Sequence, residues 1–247
     1  KIAIPSGTAV IRGKYSAMNT APELGEALMV TASADYSGSP AAAYDSASIG
    51  NYKYLRFEPA AAQIGSTRYA SLQAALDAAG QNGTVQLVQD ITENVTIPSG
   101  NTNSITLDLN GRTLSGDSDT PAITHQGSGE LKVFGGTVES ASSKNGAILS
   151  EGGGTVNITA ATVKNTGAGY AIASDAGLVN IGEDAKIISA CSRVDRGTIW
   201  LYGGVSGRED TVVLNLTGGE IENTAETGFA INKAGVGKIC VPRGIVF

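Results

Sequence analysis

Histidine and tryptophan each occur once in 247 residues, cysteine twice, and aromatic residues make up only 5% of the chain. Two cysteines cannot staple a small fold, so no disulfide framework is expected, and they leave the redox compartment open. The 17 Lys and Arg are outnumbered by 23 Asp and Glu, giving a net charge of -6. Phosphate backbones require a dense basic face, so nucleic acid is excluded as a partner. No apolar run approaches the roughly 18 residues of a membrane-spanning helix, and no membrane insertion is expected. The chain has neither a metal-ligand constellation nor a Gly-rich phosphate loop ahead of a helix, so no metal and no cofactor is expected. It opens on Lys1 without an initiator Met or an apolar export core, which reads as a piece of a larger protein carrying further domains.

What the chain has in abundance is glycine, 33 residues of it, together with short runs of Val, Ile, Leu and Thr. That mixture suits short strands separated by tight turns. The runs repeat. "LDLNGRTLSG", "LKVFGGTVES", "VNITAATVKN", "VNIGEDAKII" and "LNLTGGEIEN" share an apolar pair, a turn and a second apolar pulse. The pairs Leu107/Leu109, Leu131/Val133, Val156/Ile158, Val179/Ile181, Leu214/Leu216 and Ile239/Val241 are separated by 24, 25, 23, 35 and 25 residues, which places the start of the repeat near residue 104. A third pulse follows as "AI" at Ala122, Ala147 and Ala171, and again at Ala230.

Three short strands per unit cannot bury an apolar face alone. Stacking the units about 4.8 Å apart closes a continuous core, and inward positions must then agree while outward ones drift. The predicted class is all-β: a right-handed parallel β-helix with an N-terminal capping helix and a small N-terminal β-rich module.

The open end of such a stack needs a cap. In "YASLQAALDAAGQNG", Leu72, Ala75, Leu76 and Ala79 fall on one helical face, Ser71 is placed to cap the N-terminus and Gly80 to end the helix, which is expected over about 71–79. Residues 66–247 then form the β-helix. Residues 1–65 hold five of the eight tyrosines and several Pro and Gly clusters. They read as the β-rich module, either an independent domain or a piece packed on the solenoid.

The stretch "YASLQAALDAA", followed by "GTVQLVQDITENVTI" and "ITLDLNGRTLSG", resembles the start of right-handed parallel β-helix domains of the pectate-lyase-like superfamily. It is most similar to the non-catalytic versions repeated in large surface proteins of Gram-positive and gut bacteria. The resemblance covers roughly residues 66–247 and implies an extracellular or cell-surface location, with polysaccharide or host glycan as the default ligand class. Fold likeness does not carry activity with it.

Lyases of that superfamily hold calcium on clustered Asp, and its hydrolases use two or three Asp within one or two coils. Neither pattern is visible. The outward row beside the first strand reads Asp108, Lys132, Asn157, Asn180, Asn215 and Cys240, with one acid; the Asn run is expected to form an amide ladder. The next row reads Ser115, Glu139, Lys164, Ile188 and Glu222, where Glu139 and Lys164 are expected to pair across strands. Asp117 with Asp119, and Glu183 with Asp184, sit beside Gly in expected turns. His125 is read as a solvated residue at a strand end, and Cys191 and Cys240 as free thiols on different strands.

The unit between Ile181 and Leu214 is about ten residues longer than its neighbours, with the excess in "ACSRVDRGT" and "YGGVSGREDT". Loops of a solenoid are where binding groups are placed. These hold Arg193, Asp195, Arg196, Arg208, Glu209 and Asp210. Between them, "TIWLY" points Ile199 and Leu201 inward and therefore Trp200 outward, with Tyr202 beside it. Two such aromatics can stack a sugar ring; equally, Trp200 can anchor its own long loops against the sheet. Two functions stay open. One is an extracellular non-catalytic spacer or adhesin that contacts glycan through these loops. The other is a polysaccharide lyase or glycoside hydrolase on acidic or mucin-type chains, with acids such as Asp195, Glu209 and Asp210 converging only in three dimensions.

Overall fold

The computed structural model describes residues 60–241 apart from 118–119, 204–211 and 236, together with the backbone of the strands within the first 59 residues. In that first part, Ala9–Gly13, Leu28–Thr31 and Ala47–Ile49 all pair antiparallel with Tyr52–Pro59.

From Gly83 onward the chain winds a parallel β-solenoid of about six turns. Each turn contributes one strand to each of three sheets. The first face stacks Gly83–Leu87, Ile105–Asp108, Glu130–Phe134, Thr155–Thr159, Gly177–Ile181, Val212–Leu216 and Lys238–Cys240 in parallel. The second runs from Ile91–Thr92 to Glu220–Asn223, and the third from Val95–Ile97 to Ile231–Lys233, six strands each. One winding precedes the repeat that begins by about residue 104: "TVQLV" leads into the first coil, Val85 pairing with Leu107, and "NVTIP" supplies its third-face strand.

The register follows the apolar pulses. Leu107, Val133, Ile158, Ile181 and Leu216 form one interior file, every member buried. Alternation along each strand sends the neighbours outward. Beside this file, however, Lys132 pairs with Thr106 rather than Asp108, which pairs with Phe134. The expected row was displaced by two residues because Leu107 and Leu109 were aligned with Leu131 and Val133, whereas Leu109 already lies in the corner. The row therefore carries no acid from Asp108.

One corner recurs with the same backbone geometry. Between the first and second faces, Asn110 and Gly111, Gly135, Ala160, Asp184 and Gly219 each have positive φ. The chain must turn sharply there, and on five successive windings the left-handed region supplies the turn. This accounts for a Gly-rich but not invariant signal and puts Asp184 in a turn, as its neighbours suggested. Asp117 is also a turn residue, its carboxylate accepting from Thr120 N and Oγ1 at 3.1 Å each; Asp119 lies outside the described residues.

The N-terminal cap is a helix and a hairpin. The helix is Leu72–Ala78, with Ser71 Oγ accepting from Ala74 N at 3.1 Å. Glu93 adds a second cap, its carboxylate accepting from Leu72 N at 2.8 Å and Gln73 N at 2.9 Å. Gly80 is not the terminator: Ala79 already leaves helical geometry at φ -70°, ψ 119°. Leu72, Ala75 and Leu76 are buried on the first winding. The hairpin Ala62–Ile64/Thr67–Tyr69, which lies across position 65, adds two antiparallel strands beside Gly83–Leu87.

Candidate functional site: an aromatic cluster beside a polar cleft on the third face

The third face positions the residues of interest through its register. Ile172 pairs with Ile199, Ala173 with Trp200 and Ser174 with Leu201. Ile199 and Leu201 are buried in the core, so Trp200 projects outward, as alternation requires. Its rung neighbour Ala173 is small, which leaves room for the indole.

Around Trp200 the structure gathers Tyr202, Arg196 and one residue the sequence reading did not single out, Tyr170. Tyr202 stacks on Trp200 with centroids 4.4 Å apart and planes 28° apart. Tyr170 lies tilted against it at 5.8 Å and 48°. The Arg196 guanidinium sits 4.6 Å from the Trp200 centroid and 5.7 Å from that of Tyr170, within cation–π range. Arg196 also donates through Nη1 to the Lys144 carbonyl, tying the 190–198 loop to a winding two turns away. Gly146 makes the seat for Tyr170, since a Cβ there would lie 2.2 Å from the Tyr170 ring.

Burial raises the hydroxyl pKa of Tyr170, with Arg196 opposing and Glu151 reinforcing the shift. Burial also pushes Tyr202 well up, and the charges of Asp175 and Glu151 add to it. Both phenols are neutral hydrogen-bonding groups near pH 7. The Trp200 indole N–H is buried and has no hydrogen-bond partner among the described residues.

The remaining loop residues separate. Arg193 and Asp195 engage each other, Nε to Oδ1 at 3.1 Å and Nη2 to Oδ2 at 2.9 Å, on an exposed stretch. The hydrogen bond from Arg193 holds the Asp195 carboxyl below the usual range, and the same bond raises Arg193. Arg208, Glu209 and Asp210 lie outside the described residues.

Next to the cluster, where the third face turns toward the first, is a cleft of about 640 Å³ lined by Gln126, Ser128, Glu151, Gly152, Gly153 and Asp175 among others. Its amide and carboxylate groups come from one structural position, the residue after each third-face strand. Successive windings place Gln126, Glu151, Asp175 and Tyr202 there, because His125, Ser150, Ser174 and Leu201 are in register. Gln126 Nε2 donates to Glu151 Oε2 at 3.0 Å. Tyr202 N–H donates to the Ser174 carbonyl at 3.0 Å, so the aromatic cluster lies one winding beyond Asp175 at the end of the cleft lining. No group of three or more His, Cys, Asp or Glu able to hold a metal occurs among the described residues.

Other expectations are settled by geometry. His125 is not a solvated residue: it is 1% exposed. Ile123, inward, is two residues before it, so the imidazole enters the core in a file with Ile97, Ser150, Ser174 and Leu201. Desolvation lowers its pKa to about 4, and Nδ1 has no hydrogen-bond partner among the described residues. Glu139 and Lys164 do pair, at 2.8 Å, and that bond from Lys164 lowers the Glu139 pKa. In the Asn row, the Asn180 amide donates to Asn157 and the Asn157 amide to Glu130, so the ladder is a structural device ending on a carboxylate, but it does not extend to Asn215, because Asn180 Oδ1 has no hydrogen-bond partner among the described residues. Cys191 is buried, Cys240 exposed, and both are free thiols.

Comparison with known proteins returned no matching family model, no similar curated protein and no similar solved structure.

Proposed function

We propose that this chain is an extracellular, non-catalytic surface module of the pectate-lyase-like right-handed β-helix type, and that it retains glycan on its third face. The observation that carries the reading is the meeting of an aromatic cluster with a polar cleft. Carbohydrate sites combine flat aromatic surface, which contacts the apolar face of a sugar ring, with convergent hydrogen-bonding groups for its hydroxyls. Tyr202, stacked on Trp200, supplies the first, and Gln126, Glu151 and Asp175 the second. The stacking of Tyr202 and the Arg196 guanidinium on Trp200 makes that ring the rigid post that holds Tyr202 in place, so Trp200 serves the site through its anchoring role. The scaffold is pre-formed, which lowers the ordering cost of binding.

A second reading, a glycoside hydrolase, is favoured by one feature: Glu151 and Asp175 lie on neighbouring windings of the same cleft, and paired carboxylates are the apparatus of such enzymes. One experiment separates the two. Oligosaccharides from plant wall, alginate and mucin sources are arrayed and probed with wild type and Trp200→Ala, while reducing ends are measured in parallel. Retention by wild type that is lost in Trp200→Ala, without new reducing ends, supports the binding module. Turnover abolished by Glu151→Gln overturns it in favour of the hydrolase.

A further inference from the structure

The floor of the cleft is built on the one histidine of the chain. The His125 carbonyl accepts from Glu151 N at 2.9 Å and from Gly152 N at 3.1 Å, and both of those residues line the cleft. Its imidazole enters the core beneath the same corner, where a Cβ at Gly154 would lie 2.8 Å from His125 Cε1. The next two members of its inward file, Ser150 and Ser174, donate through Oγ to the Ala176 carbonyl at 3.4 and 3.2 Å, and Ala176 is also in the cleft lining. Floor and file are tied together.

An imidazolium in this file has nothing to answer it. Its neighbours on the adjoining windings, Ile97 and Ser150, carry no charge, and no Asp, Glu, Lys or Arg is buried among the described residues. The carboxylates of the corner, Glu151 and Asp175, line the cleft instead. Protonation of the ring therefore requires water to reach it. The way out is short: Gly152, Gly153 and Gly154 form the corner over the imidazole, Gly153 is exposed, and a Cβ there would meet nothing within 4 Å. Three glycines in a row offer little resistance to a change of backbone conformation.

We infer that the corner Glu151–Gly154 is an acid-operated release, in which protonation of His125 opens the floor of the cleft and frees its ligand. This regulation rests on the glycan-binding reading of the same cleft. The direction follows from linkage. Desolvation holds the closed corner's imidazole at about 4, whereas one that reaches water titrates near the ordinary value of about 6.5. The open form binds the proton that the closed form refuses, so the open-to-closed ratio is constant above pH 6.5 and rises as pH falls to 4, by roughly 300-fold in all.

Hydrogen exchange of the whole chain tests this at pH 7.5, 6, 5 and 4, with rates corrected for the intrinsic effect of pH. Wild type is compared with His125→Leu, which repeats the Leu201 of the same file, and with His125→Gln, polar and never charged. The reporters are the Glu151 and Gly152 amides, because their acceptor is the His125 carbonyl. Their protection in wild type should lie below that of Ile158 and Ile181 at every pH, the mark of local opening, and should fall by up to roughly 300-fold toward pH 4. Both variants should lose that dependence. An oligosaccharide retained at pH 7.5 should be released by wild type at pH 4 and kept by the variants. Reporter amides as protected as Ile158 and Ile181, or level across the pH series, overturn the local opening. Equal release from wild type and variants transfers the acid effect to Glu151 and Asp175 and overturns the switch. No retention of any glycan at pH 7.5 overturns the parent reading, while the exchange rates still decide whether the corner opens.

Discussion

Acid should weaken this fold through a single imidazole. His125 is 1% exposed and its pKa is held near about 4 by desolvation, against about 6.5 in an unfolded chain. The unfolded state therefore binds a proton between these values that the folded state refuses, so stability falls as pH falls. The contribution is fully present above pH 6.5, is lost progressively down to pH 4, and changes no further below that. The gap corresponds to about 3 kcal/mol, a sizeable part of the 5–15 kcal/mol typical of a domain.

Carboxylates protonate over part of the same range, so the measurement must isolate the histidine. Urea unfolding of wild type and His125→Leu at pH 7.5, 6, 5 and 4 does so by difference. The free-energy difference between the two should change by about 3 kcal/mol across the series, with wild type losing relative ground on the acid side. Because the chain has one histidine, its ring resonances can also be followed by proton NMR without assignment. A midpoint near 6.5, or a difference between the proteins that does not vary with pH, would refute the claim that the imidazole is buried in the core.

Two further outcomes follow from the stack. Ile158→Ala, in the middle of the interior file, should cost about 2–5 kcal/mol in chemical denaturation, whereas removing an exposed pair such as Lys186 with Glu220 should cost under about 1 kcal/mol. Ala160 holds a left-handed backbone at φ 47° in the corner where other windings use glycine; Ala160→Gly should raise thermal stability, by up to about 1 kcal/mol.

The parts of this molecule legible in one dimension are those in which a residue's role depends on its neighbours in the same winding. Inward Val133, Ile158 and Ile181 were readable from spacing because any stack of equal windings must align them. Glu139 and Lys164 were readable because they sit next to an aligned apolar position. His125 was readable in principle from its distance of two from Ile123, but a lone histidine does not announce its face. The carboxylates of the cleft were missed for a related reason: Glu151 and Asp175 each follow a third-face strand, one position beyond the rows that the apolar pulses mark. Aligning the third pulse would have put Gln126, Glu151, Asp175 and Tyr202 in one column.

The sequence by itself determined the period, the inward files and the outward direction of Trp200, since a strand's alternation and a winding's length are local properties. It did not determine which outward residues share a site. Tyr170 is 30 residues from Trp200, and the two rings meet only because Gly146 makes room and Arg196 bridges back to Lys144. Such contacts depend on how far each corner loop reaches across its neighbours, and that is decided by packing between windings rather than by the pattern within one.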